Sequence, residues 1–326
     1  MRYDLTEELY LVLDCETATL PYCKEVQANA KVKKNLSTTF PLIYDIAWLI
    51  GDKQGNILTK KNFLIAEVWG VPQIFETAYY KNKKPLYVAM IQRGKIQVAS
   101  WVQAQAELLK DLENALACAF NGMFDFKKAI PFTEKYINSI YGGYYDLWLQ
   151  EQKEKIDNIV ANVKKSTKKQ KLEPQFILNG QCFKMVDIWQ VACQKLINNN
   201  SYKKFCLDYD LLGDSKLWFK TNAETTYKYL SYKYNFVESH TALKDCEIEY
   251  FILCKALKKG IITPTLECMP FRQLGSTVEF VEKFPQYAPT LYNELSQYLE
   301  DCKVKNKAKT WITQVTNNIA RLEILL

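Results

Sequence analysis

Histidine is all but missing from this chain: there is one, His240, in 326 residues. That excludes zinc sites assembled from several imidazoles. Clustered cysteine is missing too. Cys15, Cys23, Cys118, Cys182, Cys193, Cys206, Cys246, Cys254, Cys268 and Cys302 are dispersed and no Cys-x-x-Cys occurs. A zinc-ribbon spacing is therefore absent, and a disulfide framework is not indicated. Most of these cysteines sit in apolar patterns, as small core residues do, which fits a reducing compartment. No apolar run approaches the roughly 20 residues of a membrane span, and charges interrupt Met1–Glu8 where a secretory leader would be apolar. The expectation is a cytoplasmic protein with no membrane partner. A strong charge of one sign is lacking as well: 43 basic against 36 acidic residues leave +7, which suits a nucleic-acid partner without demanding one. No internal repeat is evident.

What is present is enough apolar sequence, 48% of residues, to bury a sizeable core, in one large domain with an appendage or in two domains. Residues 9–14 read as an apolar strand, 42–50 as a second and 56–66 as a third, the last two joined by the turn signal Asp52-Lys53-Gln54-Gly55. The three are expected to form a meander. Residues 71–92 read as helix in pieces. Over 100–118 apolar residues recur at helical spacing, and the apolar stretch 117–120 then ends in Asn121-Gly122, with a helix starting near Phe124. Residues 150–175 turn charged and Lys-rich, as a solvated insertion or, less simply, as a basic arm that follows a phosphate backbone. A strand is expected over 182–186, with Asp187 as the N-cap of the helix behind it. Helices follow at 203–212, 223–234 and 240–258, and 264–326 reads as a helical C-terminal extension with helices over 286–302 and 306–325.

Three short stretches could carry chemistry. In Leu11-Val12-Leu13-Asp14-Cys15-Glu16-Thr17 the strand alternation puts Asp14 and Glu16 on one face. Two carboxylates kept together beside a core repel, and a divalent cation turns that repulsion into ligation. The plainer reading is a strand that runs out into a polar turn. Asp125, in Asn121-Gly122-Met123-Phe124-Asp125, is either a favourable acid in a first helical turn or a further metal carboxylate. His240 stands at the start of a helix, five residues before Asp245. An imidazole suits proton transfer near neutral pH, but a lone histidine can also be incidental.

Taken together and in this order, Asp14-x-Glu16, Asp125 after Asn-x-x-Phe, and His240-x-Ala242-x-x-Asp245 resemble the DEDD exonuclease superfamily, in the His-bearing (DEDDh) branch that includes the proofreading subunit of bacterial replicases. The resemblance covers roughly 9–258. Thr17-Ala18-Thr19 departs from the Thr-Thr-Gly that often follows the first motif, and the interval from Asp125 to Asp245 is long, in part because of the Lys-rich segment. The resemblance implies a ribonuclease-H-like α/β domain over 1–263, with an antiparallel three-strand meander, parallel strands and an insertion near 150–175, followed by the 264–326 extension. It implies 3′–5′ hydrolysis with two divalent cations, Mg²⁺ or Mn²⁺. In that scheme Asp14, Glu16, Asp125 and Asp245 are the ligands, and Asp14 bridges the ions. His240 is the base, and Thr17, Leu20, Asn121 and Phe124 contact the substrate. Leu20, Tyr22 and Phe124 are the candidates for a wedge against the terminal base. The expected substrate is single-stranded nucleic acid, DNA rather than RNA. An exoribonuclease or oligonucleotidase, a polymerase-associated proofreader that meets a replication partner through its C-terminal helices, and a binding module without chemistry are the alternatives.

Overall fold

The structure, a computed structural model, describes residues 9–21, 38–161, 174–259 and 269–326. Its centre is a seven-stranded sheet. β1 (Leu9–Ala18), β2 (Leu42–Asp52) and β3 (Ile57–Ile65) form the expected antiparallel meander. The β2–β3 turn is tied by one carboxylate: Asp52 Oδ1 accepts the backbone N–H groups of Gln54, Gly55 and Asn56 at 2.9–3.0 Å, while Gly55 supplies the positive φ of 102°. β4 (Gln97–Ala99) runs parallel to β3 at one edge. On the other side of β1, β5 (Leu116–Ala119) and β7 (Gln181–Asp187) are parallel strands, and β6 (Gln175–Leu178) closes the edge antiparallel to β7. The order β4-β3-β2-β1-β5-β7-β6 contains a meander that continues into parallel strands through β1, which is the ribonuclease-H-like α/β arrangement.

Helices cover the sheet. α1 (Lys84–Gln92) follows a 3₁₀ turn, Lys81–Lys83, and α2 (Trp101–Leu112) starts at a capping box made by Ser100 and Gln103. After β5 come one helical turn, Gly122–Phe124, a π-helical stretch, Asp125–Ala129, α3 (Ile130–Tyr141) and α4 (Tyr145–Ala161). α5 (Ile188–Lys195), α6 (Asn200–Asp208), α7 (Ala223–Ser231) and α8 (Ala242–Leu257) follow β7. α8 packs on β1 and β2, and α3 on β2. With both faces occupied, β2 is buried along nearly its whole length, which is why it reads as a continuous apolar run and not as an alternating one. α9 (Thr277–Val281), α10 (Ala288–Val304) and α11 (Lys309–Glu323) complete the chain. Among the described residues no helix is long and apolar enough to cross a membrane. Every described cysteine is a free thiol.

The first part of 150–175 is the end of α4; the Lys-rich run 164–171 lies outside the described residues. The chain forms two compact units. One contains the sheet with 237–266, and the other joins 189–236 to 267–326. Within that second unit the Trp189 and Phe271 rings stack at 6.3 Å, the Thr277 N–H donates to the Leu217 carbonyl at 3.1 Å, and Lys216 pairs with Glu294. The C-terminal helices thus share a core with the helices that precede Val237, whose apolar faces need cover.

Candidate active site

β1 delivers Asp14 and Glu16 at the centre of the sheet. Their positions in the ladder are opposite Ala47 and Asp45 of β2, and the register shifts between Glu16 and Thr17. Such a shift re-aims the chain just where the two acids end the strand. Glu16 is 9% exposed, and Asp14 keeps a little more surface. A second carboxylate arrives after β5. Asn121 takes a left-handed conformation, φ 69°, its N–H donates to Asp187 at 3.2 Å, and the chain turns into the π-helical stretch that begins with Asp125, 3% exposed. The Cys15 thiol donates to Asp125. The third contribution is the first turn of α8, with Asp245 6% exposed and His240 just outside the helix. One ligand atom each of Glu16, His240 and Asp245 lies within 4.8 Å of the others, so these three could hold a metal ion.

Asp14 is the electrostatic hub. Its charge helps to raise Glu16, Asp125 and Asp245 above the ordinary carboxylate range, and burial, the larger cause in each case, raises Asp14 itself along with them. Glu249, one turn along α8, is held up in the same way by burial and by Asp14, Asp125 and Asp245, and it accepts the Phe120 N–H at 3.2 Å. Asp45, fully buried, is pushed up to about 6, again mainly by burial. Lys83 is the cation that offsets part of this charge at Glu16 and Asp245. Asp245 Oδ1 is buried and has no hydrogen-bond partner. An unpaired carboxylate oxygen among acids that depress one another's ionisation is what an oxygen-ligated divalent cation would relieve, so the residues present fit such an ion.

The structure therefore brings together Asp14, Glu16, Asp125, His240 and Asp245. The substrate-contact expectations fare differently. Thr17 is half-buried at the end of β1, Asn121 is exposed, and Phe124 is half-buried against the core. Leu20 is fully buried in the apolar core, so it offers no face to a base and is a packing residue. Tyr22 lies outside the described residues. Asp187, taken as an N-cap, does end β7 directly before α5, and it also fixes the Asn121 backbone. The sequence reading missed Asp45, Lys83, Glu249 and Glu238, whose charge also helps to raise Asp14 and Asp245. Glu249 had a signal, since an acid four residues after Asp245 shares its helix face. Asp45 had one too: an acid inside an uninterrupted apolar strand needs a partner.

No family model matches the chain, and no curated protein matches it at a significant level. Among solved structures the chain is similar to the crystal structure of cell-death related nuclease 4, with a TM-score of 0.35 and 12% identity, covering 78% of this chain and 65% of that one. It therefore spans just under two thirds of that protein's length.

Proposed function

We propose that this chain is a metal-dependent 3′–5′ exonuclease that removes nucleotides from single-stranded DNA or frayed ends. One observation carries the reading: three buried carboxylates from three separate elements, Glu16, Asp125 and Asp245, converge on Asp14, with the chain's single imidazole beside two of them. Asp14, Glu16, Asp125 and Asp245 would hold two Mg²⁺ or Mn²⁺ ions, oxygen donors being suited to hard cations. Bound there, the ions supply Lewis-acid stabilisation of phosphoryl charge and make water a better nucleophile near neutral pH.

His240 takes the proton of the attacking water as its oxygen forms the new bond to phosphorus. The bond from phosphorus to the 3′-oxygen of the penultimate sugar breaks, and that oxygen is protonated from solvent. A nucleoside 5′-monophosphate and a shortened strand result. Glu16 and the Thr17 backbone, at the register shift that ends β1, meet the terminal 3′-hydroxyl and restrict attack to strand ends. Asn121 and Phe124, just before Asp125, meet the terminal nucleotide in this proposal. A replication partner docking on the C-terminal helices and a cytoplasmic location belong to the same proposal.

The test is product analysis on 5′-end-labelled single strands, DNA and RNA in parallel, with Mg²⁺, with Mn²⁺ and with EDTA. A ladder that shortens one nucleotide at a time from the 3′ end, and only with metal, is expected. Endonucleolytic fragments, or no cleavage with either metal, would overturn the proposal. Faster trimming of RNA would replace the DNA preference with an exoribonuclease.

A further inference from the structure

We propose that Glu238, Tyr80 and Lys83 are positioning residues that keep His240 as one neutral tautomer, protonated on Nδ1, with Nε2 left as the proton acceptor. This rests on the role of His240 proposed above and goes on to how the ring is held ready. His240 adopts φ 48°, a left-handed backbone that side chains other than glycine enter at a cost. The cost is met by contacts from outside the segment that leads into α8. Lys83, at the end of the 3₁₀ turn before α1, donates from Nζ to the Ser239 carbonyl at 2.5 Å and to the His240 carbonyl at 3.0 Å. The same Nζ lies 3.9 Å from the centroid of the Tyr80 ring. That ring in turn stacks on the imidazole, with centroids 4.5 Å apart and planes 13° apart. One lysine therefore fixes the backbone of His240 and braces the ring that fixes its plane.

Stacking cannot choose between the two nitrogens, because turning the imidazole over leaves its plane unchanged. Glu238 can. Its Oε2 lies 3.4 Å from Nδ1, and its side chain is only 10% exposed, so the carboxylate is held beside that edge of the ring. An ionised carboxylate only accepts hydrogen bonds, and a neutral imidazole has one N–H to give. The arrangement therefore places the N–H on Nδ1 and the lone pair on Nε2. The 3.4 Å separation is long for a hydrogen bond and is expected to tighten when substrate binds, as such contacts do.

A single histidine makes the tautomer directly readable. The full-length protein is labelled with ¹⁵N-histidine, kept in EDTA at a pH where the ring is neutral, and studied by NMR correlation of the ring nitrogens with the ring C–H protons. One set of signals is expected, with Nδ1 of the N–H type and Nε2 of the lone-pair type. Glu238→Ala should give mixed or reversed tautomers, while Glu238→Gln, whose amide oxygen still accepts, should restore the wild-type pattern. Tyr80→Ala should broaden the ring signals, and Tyr80→Phe should not. With a chromogenic phosphodiester and Mn²⁺, Glu238→Ala should lower kcat about 10–100-fold with KM little changed.

A wild-type ring protonated on Nε2 would overturn the inference, as would a Glu238→Ala protein that keeps a pure Nδ1–H form. The second result would leave Glu238 as one more acid near the cluster, with no positioning role. The wild-type spectrum is informative even if a variant fails to fold. If the wild-type protein shows the expected tautomer but hydrolyses no phosphodiester, the nuclease reading falls and the ring-positioning contacts stand. If it hydrolyses with the wrong tautomer, only the positioning inference falls.

Discussion

The Asp45 carboxylate, from within β2, accepts the Ala242 backbone N–H at 3.1 Å and so caps α8, the helix that presents Asp245. Thr241, in the N-cap position, makes no side-chain cap of its own. The same Oδ2 accepts the Tyr87 hydroxyl at 2.8 Å. A sheet residue thus holds the start of a helix that is distant in sequence, and with it the angle at which Asp245 approaches Glu16. Asp45→Ala should strand a buried hydroxyl and a buried N–H, a loss of about 2 kcal/mol, read from urea denaturation. Asp45→Asn keeps an acceptor and removes a like charge, so it should be no less stable than wild type. If the alanine variant is equally stable, the cap has no energetic weight.

Metal should stabilise the fold. An ion that binds only the folded state adds about 2.7 kcal/mol at a hundred times its dissociation constant. Mg²⁺ or Mn²⁺ should therefore raise the melting temperature in a concentration-dependent way, and Asp14→Asn should abolish most of the rise. An unchanged melting curve across millimolar metal would remove the ion from the cluster.

In EDTA the cluster should make stability fall as pH rises. Asp14 is pushed up to about 8 and Asp45 to about 6, each chiefly by burial. A raised value in the folded state means that the folded protein holds its proton more tightly than the unfolded chain does. The stability this gives is complete below the unfolded carboxylate value of about 4 and is lost as pH climbs through the folded values. Chemical denaturation at pH 6 and pH 8.5 should show the lower pH to be the more stable, with saturating Mg²⁺ shrinking the difference. A difference of the opposite sign would contradict the assignment of these acids as buried and mutually repelling.

Much of this was legible in the chain, and the failures have physical causes. The meander, the Gly-containing turn and the acids at the end of β1 were readable because strand periodicity and turn chemistry are local. β6 was missed although Asn179-Gly180, both at positive φ, is a hairpin signal; the lysines before it masked a four-residue strand. Asp45, Lys83 and Glu238 could not be placed, because their roles depend on which distant elements the topology brings together. Leu20 was misassigned because closeness in sequence to Glu16 says nothing about the direction a side chain takes after a register shift.

His240→Ala should reduce turnover by about 10²–10⁴-fold, the usual contribution of a general base. Binding of a single-stranded oligonucleotide in EDTA should be unchanged, because the base acts on water and not on the strand. Asp14→Asn should be inactive for a different reason, loss of metal, so added Mn²⁺ should rescue it in part and should leave His240→Ala where it was. Near-normal turnover by His240→Ala would remove the imidazole from the chemistry.

Gly51 tests whether the sheet really fixes α8. A Cβ there would collide with the ring end of Tyr250, whose hydroxyl donates to the carbonyls of Asp52 at 2.6 Å and Asn56 at 3.0 Å, and would come within 2.8 Å of the Asn56 oxygen itself. Tyr250 lies on the same helix as Asp245, so the intrusion must either break the β2–β3 turn or push α8 away. Gly51→Ala should cost about 1–3 kcal/mol and lower activity, although residue 51 lies at the far end of β2 from Asp45. Tyr250→Phe, which removes the hydroxyl that meets the new Cβ, should lose its own hydrogen bonds but recover part of the Gly51→Ala defect in the double variant. Strict additivity of the two changes would show that they do not meet, and that the helix is held to the sheet by Asp45 and the core alone.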